Sequence, residues 1–279
     1  MNDVKCVFSI AGSDSVGGAG IQADIKTIFS LGHYAAAAIT AVTAQNTCGV
    51  RGIQAVDAAI LSGQIDAVLE DIPVAAIKIG MVYTCENVLA IRDALRRNGY
   101  QNPLVLDPVL VATSGAHLAS DGFLDLLRKE LFPLCTLLTP NLSETEAICG
   151  RKVVSVGDMA ECGRDIIRRW GCQNVLVKGG HSEGDAMTDV LVLASGEMKT
   201  FTATKIESEN THGTGCTLSS AIATYLAEGR PLEEAVSLGK EYVYQAIVAA
   251  KDHKIGRGHG STNHFWRLEG VRNEELGMR

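Results

Sequence analysis

The sequence segment with the clearest chemical potential is residues 211–220, which read THGTGCTLSS. Gly213, Thr214 and Gly215 can adopt backbone angles that aim successive N–H groups into one concavity. The small and apolar residues that follow predict a helix beginning near Cys216, whose positive N-terminal end would face the same concavity. The segment therefore predicts an anion hole for a transferring phosphoryl group. At such a position we expect the pKa of the Cys216 thiol to be lowered, although a small buried filler is the alternative interpretation.

Polar side chains also stand where three other apolar runs end. Asp107 follows such a run in LVLDPV, and Asn141 and Glu144 follow another in TPNLSE. Two carboxylates and a carboxamide on adjacent strand ends suit a Mg²⁺ ion that keeps several waters, and capping of a helix by Ser143 and Glu144 is the alternative. Lys178, in VLVKGGH, can meet a nucleotide phosphate or can be a solvated surface lysine.

The glycine-rich loop AGSDSVGGAGIQAD at 11–24 admits two functions, and a loop that only needs a flexible backbone is the further alternative. Its residues 18–23 fit G-x-G-x-x-A, which indicates an NAD-dependent oxidoreductase as an alternative of another class. That alternative lacks the acidic residue expected after the second strand, where Gln45 stands instead. We favour a loop whose backbone approaches a small substrate, with Asp14 or Asp24 beside it. The side-chain amide of Gln45 can donate and accept hydrogen bonds together, which suits a flat heterocycle bearing a ring nitrogen and an amino group. The alternative is that the amide forms hydrogen bonds within its own turn.

Elements that would position these residues alternate along the chain. Apolar runs predict strands at 5–12, 35–45, 75–80, 103–109, 136–141, 174–180, 189–194 and 198–205. Helical periodicity predicts helices at 19–32, 57–71, 86–98, 121–131, from Ser143 onward, 155–170, 216–228 and 232–251. This alternation predicts one α/β domain with a mainly parallel sheet covered by helices on both faces. In such sheets ligands bind outside the carboxyl ends of the strands.

Helical periodicity also predicts which side chains share a face. In the helix at 19–32 the shared face carries Ile21, Ile25, Ile28 and Phe29. In the helix at 57–71 the inward side chains are Ile60, Leu61, Ile65, Val68 and Leu69. Ser155 and Asp158 have the spacing of a helix cap at the start of 155–170.

Composition narrows the classes of function. The 279-residue chain has a net charge of −7, which argues against nucleic acid as the main partner. Its eight cysteines form no CxxC pair, which favours reduced thiols in a cytoplasmic protein. No apolar run approaches the roughly 18 residues of a membrane-spanning helix, and the N-terminus lacks the features of a signal peptide.

Taken in order, seven segments resemble the hydroxymethylpyrimidine/phosphomethylpyrimidine kinases of thiamine biosynthesis, which belong to the ribokinase-like superfamily. The segments are AGSDSVGGAGIQADIKT, ITAVTAQNT, KIGM, DPVLVATSG, TPNLSE, VKGGH and THGTGCTLSSAIA, between about Val4 and Trp266. The resemblance implies a single ribokinase-like three-layer α/β/α domain, commonly a homodimer. It implies transfer of the γ-phosphoryl group of ATP, with Mg²⁺, to 4-amino-5-hydroxymethyl-2-methylpyrimidine and then to its monophosphate. A pyridoxal or pyridoxine kinase of the same fold is the nearest alternative, and a non-catalytic pyrimidine-binding regulator is a third.

The resemblance also implies roles for individual residues. The implied substrate pocket comprises Gly12, Asp24, Gln45, Met81 and Val109. The implied nucleotide side comprises Asn141, Lys178, Thr211 and Lys240, and the implied metal ligands are Asp107 and Glu144. Gly213, Thr214 and Gly215 match the anion hole and Cys216 the catalytic position, where most of the superfamily has aspartate. Val16 is larger than its usual counterpart, and the tail after Trp266 carries no recognised motif.

Overall fold

The computed structural model describes residues 4–110, 122–179 and 186–268. Within these residues nine strands form one sheet. The strands are β1 (Cys6–Asp14), β2 (Tyr34–Asn46), β3 (Gly49–Ala55), β4 (Val74–Ile79), β5 (Leu104–Leu106), β6 (Leu137–Leu138), β7 (Val175–Val177), β8 (Ala186–Val192) and β9 (Met198–Thr204). The helices are α1 (Gly20–Ser30), α2 (Ala58–Asp71), α3 (Cys85–Arg97), α4 (Phe123–Glu130), α5 (Leu142–Cys149), α6 (Val156–Trp170), α7 (Thr214–Ala227) and α8 (Leu232–Ala250).

The sheet has the order β3-β2-β1-β4-β5-β6-β7-β8-β9. The strands from β2 to β7 in this order run parallel, while β3, β8 and β9 pair antiparallel at the two sides. The chain leaves β1 for β2 on one side and reaches β4 on the other side. The crevice outside the carboxyl ends of β1 and β4 is therefore a topological switch point, where such folds bind ligands.

Apolar side chains alternate along the strands and build a core on each face of the sheet. Phe8, Ile10 and Ile77 pack on one face against a cluster that includes Leu61 of α2 and Ile91 of α3. The opposite face carries a second cluster formed by strand residues together with α1, α7 and α8. These two cores confirm the predicted α/β fold with a mainly parallel sheet between helical layers.

The structure differs from the sequence-based elements in one strand and in three side chains. Strand β3 was not predicted, because its residues GVRGIQA are mostly exposed or half-buried and include two glycines. The predicted inward position of Ile60 is wrong, since the side chain is 61% exposed. On α1, Ile21 and Ile28 are buried, but Ile25 and Phe29 are 37% and 66% exposed. Polar side chains take part of that buried face, which hydrophobic periodicity alone does not anticipate.

Among the described residues, no helix combines the length and the apolar character needed to cross a bilayer.

Candidate active site

The glycine turn at 213–215 forms the start of α7, as the sequence predicts. Gly213 is the N-cap of this helix with a φ of 82°, and it offers no side chain to cap the first turn. The Thr214 N–H donates to the Thr211 carbonyl over 3.2 Å. The N–H groups of Gly215 and Cys216 thus lie at an uncapped helix start, where backbone donors and the helix dipole favour an anion.

Gly213 is also held against the loop that follows β1. A Cβ on Gly213 would overlap the carbonyl oxygen of Gly18. A left-handed φ and this close approach both require glycine. The contact joins the predicted anion hole to the glycine-rich loop 11–24.

A buried ion pair faces the same turn. Lys178 Nζ donates to Asp107 Oδ1 over 2.8 Å, and the side chains are 15% and 3% exposed. A Cβ on Gly215 would lie 3.2 Å from Asp107 Oδ2 and 3.3 Å from Lys178 Nζ, so the pair lies directly beside the turn. Burial lowers the pKa of Lys178, but Asp107 and Glu144 outweigh burial and raise it overall. Lys178 is therefore a largely buried, paired ammonium, and its interpretation as a solvated surface lysine is wrong.

Asn141 and Glu144 form a reciprocal cap at the start of α5. The Glu144 N–H donates to Asn141 Oδ1 over 2.9 Å, and the Asn141 N–H donates to Glu144 Oε2 over 2.8 Å. The capping interpretation is confirmed for Glu144 and is wrong for Ser143, because the N-cap is Asn141 and Ser143 lies inside the first turn of α5. Burial raises the pKa of Glu144 to about 7, with Lys178 opposing and Asp107 reinforcing the rise.

The two carboxylates of Asp107 and Glu144 fit a site for Mg²⁺. They lie close enough for the charge of one to disfavour ionisation of the other, and a divalent cation would relieve that repulsion. The described residues contain no group of three or more potential metal-ligating side chains. Mg²⁺ commonly takes one or two carboxylates and completes its shell with water and phosphate oxygens, so two suffice.

Cys216 is half-buried in the first turn of α7. Burial raises the pKa of its thiol to about 11; Lys78 and the Gly20 N–H oppose the rise, and Asp24 and Asp107 add to it. The expected lowering of this pKa is wrong. Lys78 and the Gly20 N–H do favour the thiolate, but desolvation and two nearby carboxylates outweigh them.

A second ion pair, between Lys78 and Asp24, lies beneath the site, and the sequence analysis did not predict this pairing. Lys78 Nζ donates to both carboxylate oxygens of Asp24 at 2.8 Å, and both side chains are fully buried. Ser9 and Ser220 donate their hydroxyls to the same carboxylate over 2.6 and 2.7 Å. Asp24 thus has its oxygens occupied by protein donors, and its implied contact with substrate stays a prediction.

Gln45, at the end of β2, lies beside His212 and Asp14. Gln45 Nε2 is 3.3 Å from His212 Nε2, which is 2.9 Å from Asp14 Oδ2. Asp14 Oδ2 also accepts the N–H groups of Gly18 and Ala19 over 3.0 and 2.9 Å. These amides are the ones that a dinucleotide pyrophosphate would need, so the loop does not offer the NAD-binding turn considered above. Asp14, at the end of β1, was predicted as one of two candidate carboxylates beside the substrate, whereas His212, which precedes the glycine turn, was assigned no role from sequence.

The remaining implied residues lie around this centre. Gly12 is buried in β1, and a Cβ there would overlap Met81 Cε, while Val109 follows β5 and is half-buried. Lys240 donates to Asp189, which accepts the Gly179 N–H over 2.8 Å, so Lys240 lies behind the strand end that carries Lys178. The other residues of the VKGGH and DPVLVATSG motifs that fall at 180–181 and 111–115, and the tail from 269 onward, lie outside the described residues.

Comparison with known proteins gives a consistent result. The family model described as phosphomethylpyrimidine kinase matches residues 14–263. The hydroxymethylpyrimidine/phosphomethylpyrimidine kinase of Rhizobium meliloti is 51% identical over 262 residues, covering 93% of this chain and 97% of that protein. The thiamine biosynthesis bifunctional protein ThiED of Geobacter sulfurreducens is 46% identical over 268 residues. The match covers 96% of this chain but only 54% of that longer protein.

Solved structures agree with these relatives. The phosphomethylpyrimidine kinase of Clostridium difficile matches with a TM-score of 0.77 and 43% identity, covering 87% of this chain and 99% of that chain. The pyridoxal kinase of Bacillus subtilis, solved as an ADP complex, matches with a TM-score of 0.84 and 30% identity. The match covers 94% of this chain and 98% of that chain.

Proposed function

The chain belongs to the phosphomethylpyrimidine kinase family, and on that premise we propose that it phosphorylates 4-amino-5-hydroxymethyl-2-methylpyrimidine with ATP. The monophosphate is then the acceptor of a second phosphoryl group, which yields the diphosphate used in thiamine biosynthesis. Membership of the family rests on the match over residues 14–263 and on the 51% identical relative.

The position of the start of α7 is the observation that supports this function. The uncapped start of α7 lies against the Asp107–Lys178 pair, because a Cβ on Gly215 would be within 3.3 Å of Asp107 Oδ2 and Lys178 Nζ. The arrangement presents backbone N–H groups and an ammonium to one point. Such fixed donors are what a transferring phosphoryl group needs, since phosphoryl transfer depends mainly on positioning and charge stabilisation.

Each group then has a separate task. In the first transfer the hydroxymethyl oxygen attacks the γ-phosphorus, the bond to the ADP oxygen breaks, and the hydroxyl loses its proton. Cys216 lies at the helix start beside the anion hole and is the candidate acceptor of that proton. With a pKa of about 11, the substrate-free thiol is ionised at pH 7 to only roughly one part in ten thousand. We therefore assign most of the catalysis to the donors at Gly215, Cys216 and Lys178, and a smaller part to proton transfer.

The second transfer needs less from the thiol. Its nucleophile is a phosphate oxygen that is already ionised at neutral pH, so no proton must be removed for attack. The requirement for fixed donors around the γ-phosphoryl group is unchanged. Cys216 should therefore contribute more to the first transfer than to the second.

Asp107 and Glu144 would hold Mg²⁺, which supplies charge neutralisation for the phosphate oxygens when it is bound. Lys178 holds Asp107 in place through its 2.8 Å hydrogen bond to Oδ1. Asn141 fixes Glu144 through the reciprocal cap. These contacts leave both carboxylates ordered at the strand ends before a nucleotide arrives.

The test is an ATP-consumption assay with the pyrimidine and, separately, with its monophosphate. No turnover of either compound overturns the proposal. Lys178→Gln should lower kcat by roughly 10²-fold or more, as the removal of a fixed transition-state donor does. The matched control is Lys152→Gln, whose lysine pairs with Glu146 over 2.9 Å but is 84% exposed, and its rate should match the wild type.

A pyridoxal kinase is the second candidate, because pyridoxal kinase structures match this fold with TM-scores of 0.84 and 0.85. Identity to those chains is 30%, against 51% for the pyrimidine kinase of Rhizobium meliloti, so the pyrimidine is the better-supported substrate. Pyridoxal in the same assay separates the two. A higher kcat/KM for pyridoxal would reverse the assignment.

We also infer a homodimer in a reducing, cytoplasmic compartment. Ile25, Phe29 and Tyr34 are 37%, 66% and 58% exposed within ten residues of α1 and β2, which suits a surface covered by a second copy. All eight cysteines lie in the described ranges as free thiols, which suits a reducing compartment. Sedimentation equilibrium of the wild type and of Phe29→Glu tests the dimer. A monomeric wild type would refute it.

A further inference from the structure

The side-chain amide of Gln45 lies between two groups that have already used their protons. Gln45 Nε2 is 3.3 Å from His212 Nε2, and Gln45 Oε1 is 3.5 Å from Thr43 Oγ1. Thr43 Oγ1 donates its single proton to the Ser13 carbonyl over 2.9 Å. An amide oxygen that faces this hydroxyl therefore receives no hydrogen bond.

His212 Nε2 carries a proton because it faces a carboxylate. Asp14 Oδ2 lies 2.9 Å from that nitrogen, and Asp14 also accepts the N–H groups of Val16, Gly18 and Ala19. Burial raises the pKa of Asp14, but His212 and the Val16 and Ala19 amides outweigh burial and lower it overall. An ionised Asp14 only accepts, so His212 Nε2–H is the donor. An amide nitrogen of Gln45 that faces this N–H has no acceptor.

A half-turn of the Gln45 amide repairs both contacts. Oε1 then accepts the His212 Nε2–H, which it shares with Asp14, and Nε2 donates to Thr43 Oγ1. Oxygen and nitrogen of a side-chain amide are assigned from such donor and acceptor accounting. The neighbours of Gln45 therefore permit one orientation of the amide.

We propose that His212 is a positioning residue that fixes the amide orientation of Gln45 and thereby sets the substrate that Gln45 can read. The inference rests on the proposed function, because it takes Gln45 to be the residue that faces the pyrimidine. The unused Oε1 lone pair and Nε2–H then form a donor–acceptor edge. That edge is complementary to an amino group beside a ring nitrogen, and not to a ring that lacks the amino group.

The surroundings of both residues limit other movements. Ser15 Oγ donates to the Gln45 carbonyl over 2.7 Å and accepts the Gln45 N–H over 2.8 Å, so the backbone is clamped. The His212 N–H donates to the Gly260 carbonyl over 3.1 Å, and the ring lies against Gly18. These contacts hold the Gln45 backbone and the His212 ring in place, and the His212 Nε2–H then selects the orientation of the Gln45 amide.

The test compares affinity for two ligands, independently of turnover. Isothermal titration calorimetry would measure binding of 4-amino-5-hydroxymethyl-2-methylpyrimidine and of 5-hydroxymethyl-2-methylpyrimidine, which lacks the amino group. The variants are His212→Gln, whose amide nitrogen reaches the position of Nε2, and His212→Asn, whose amide nitrogen reaches only the position of Nδ1. The two variants differ in reach and share the same chemistry.

We expect His212→Asn to lower the preference for the amino compound about tenfold, the worth of one well-placed hydrogen bond. His212→Gln should stay within about threefold of the wild-type preference. An equal loss of affinity for both ligands in His212→Asn, or an unchanged preference, overturns the proposal in favour of a structural role. A wild type that binds neither compound instead refutes the proposed function, and this is seen before any variant is made.

The orientation of the Gln45 amide can also be measured directly in the wild type, which tests the proposal even if the His212→Asn variant does not fold. Neutron diffraction from deuterated wild-type crystals locates the deuterons on Gln45 Nε2 and His212 Nε2. Deuterons of the Gln45 amide pointing at Thr43 support the proposal. Deuterons pointing at His212 overturn it.

Discussion

Replacing Asp24 by asparagine should destabilise the protein far more than the same replacement on its surface. The Asp24 carboxylate is fully buried, and Lys78, Ser9 and Ser220 donate to it. The Asp24→Asn variant would leave the Lys78 ammonium buried with an amide that offers one acceptor oxygen in place of two. Breaking a buried ion pair in this way costs about 3–5 kcal/mol, a large share of the roughly 5–15 kcal/mol that stabilises a folded protein.

Urea unfolding followed by circular dichroism measures this loss. With an m-value of about 3 kcal/mol/M, the midpoint should fall by roughly 1 to 1.7 M. The control is Asp125→Asn, which breaks the 2.7 Å pair with Arg128 at a side chain that is 77% exposed. Exposed pairs contribute about 0–1 kcal/mol, so the control midpoint should move by less than roughly 0.3 M. Equal shifts for the two variants would refute the reasoning.

The double variant Asp24→Asn/Lys78→Met separates charge from packing. It removes both members of the buried pair, so no uncompensated charge remains, and it should be more stable than Asp24→Asn alone. The comparison remains informative if the single variant accumulates unfolded. A double variant that is less stable than the single would mean that the charges contribute little and that packing dominates.

Four further predictions concern the catalytic turn and its neighbours. Cys216→Ala should retain ATP binding and slow the first transfer by roughly 10²-fold, and the second transfer less, in single-turnover assays; equal slowing of both steps would contradict a proton-accepting role. In the wild type, alkylation of Cys216 followed by peptide mass spectrometry should rise about tenfold per pH unit up to a thiol pKa of about 11, and a plateau below pH 9 would disagree. Glu144 has a pKa raised to about 7, so its ionisation destabilises the metal-free fold. Stability should therefore rise as pH falls from 8 to 5, and Glu144→Gln should remove that slope in thermal unfolding, whereas Glu146→Gln, at a half-buried carboxyl whose pKa is lowered, should not. Gly213→Ala should abolish turnover. The control is Gly229→Ala, at a φ of 83° with no atom near the added Cβ, which should cost only about 1 kcal/mol of stability in urea unfolding and keep activity. A fully active Gly213→Ala variant would show that the turn tolerates a side chain.

Much of the fold and part of the site follow from patterns that are local in the sequence. Strand and helix alternation predicts the parallel sheet, and the helix cap at Ser155 and Asp158 was predicted and is present. The turn at 213–215 and the polar ends of β5 and β6 were found because glycine conformation and strand exits are read from a few neighbouring residues. Strand β3 was missed because it is short in apolar residues and stands at the side of the sheet.

The properties of the site that tertiary structure alone decided come from contacts between distant residues. Lys78 and Asp24 are separated by 54 positions, Ser220 and Asp24 by 196, and His212 and Asp14 by 198. Burial and neighbouring charge set the pKa of a thiol or carboxyl, and neither can be read from the residues on either side. The sequence by itself therefore determined where the phosphate-binding turn and its carboxylates stand in the chain. Only the folded structure decided that the Cys216 thiol is protonated and that a buried ammonium lies beside it, because those properties depend on how water is excluded and which charges remain nearby.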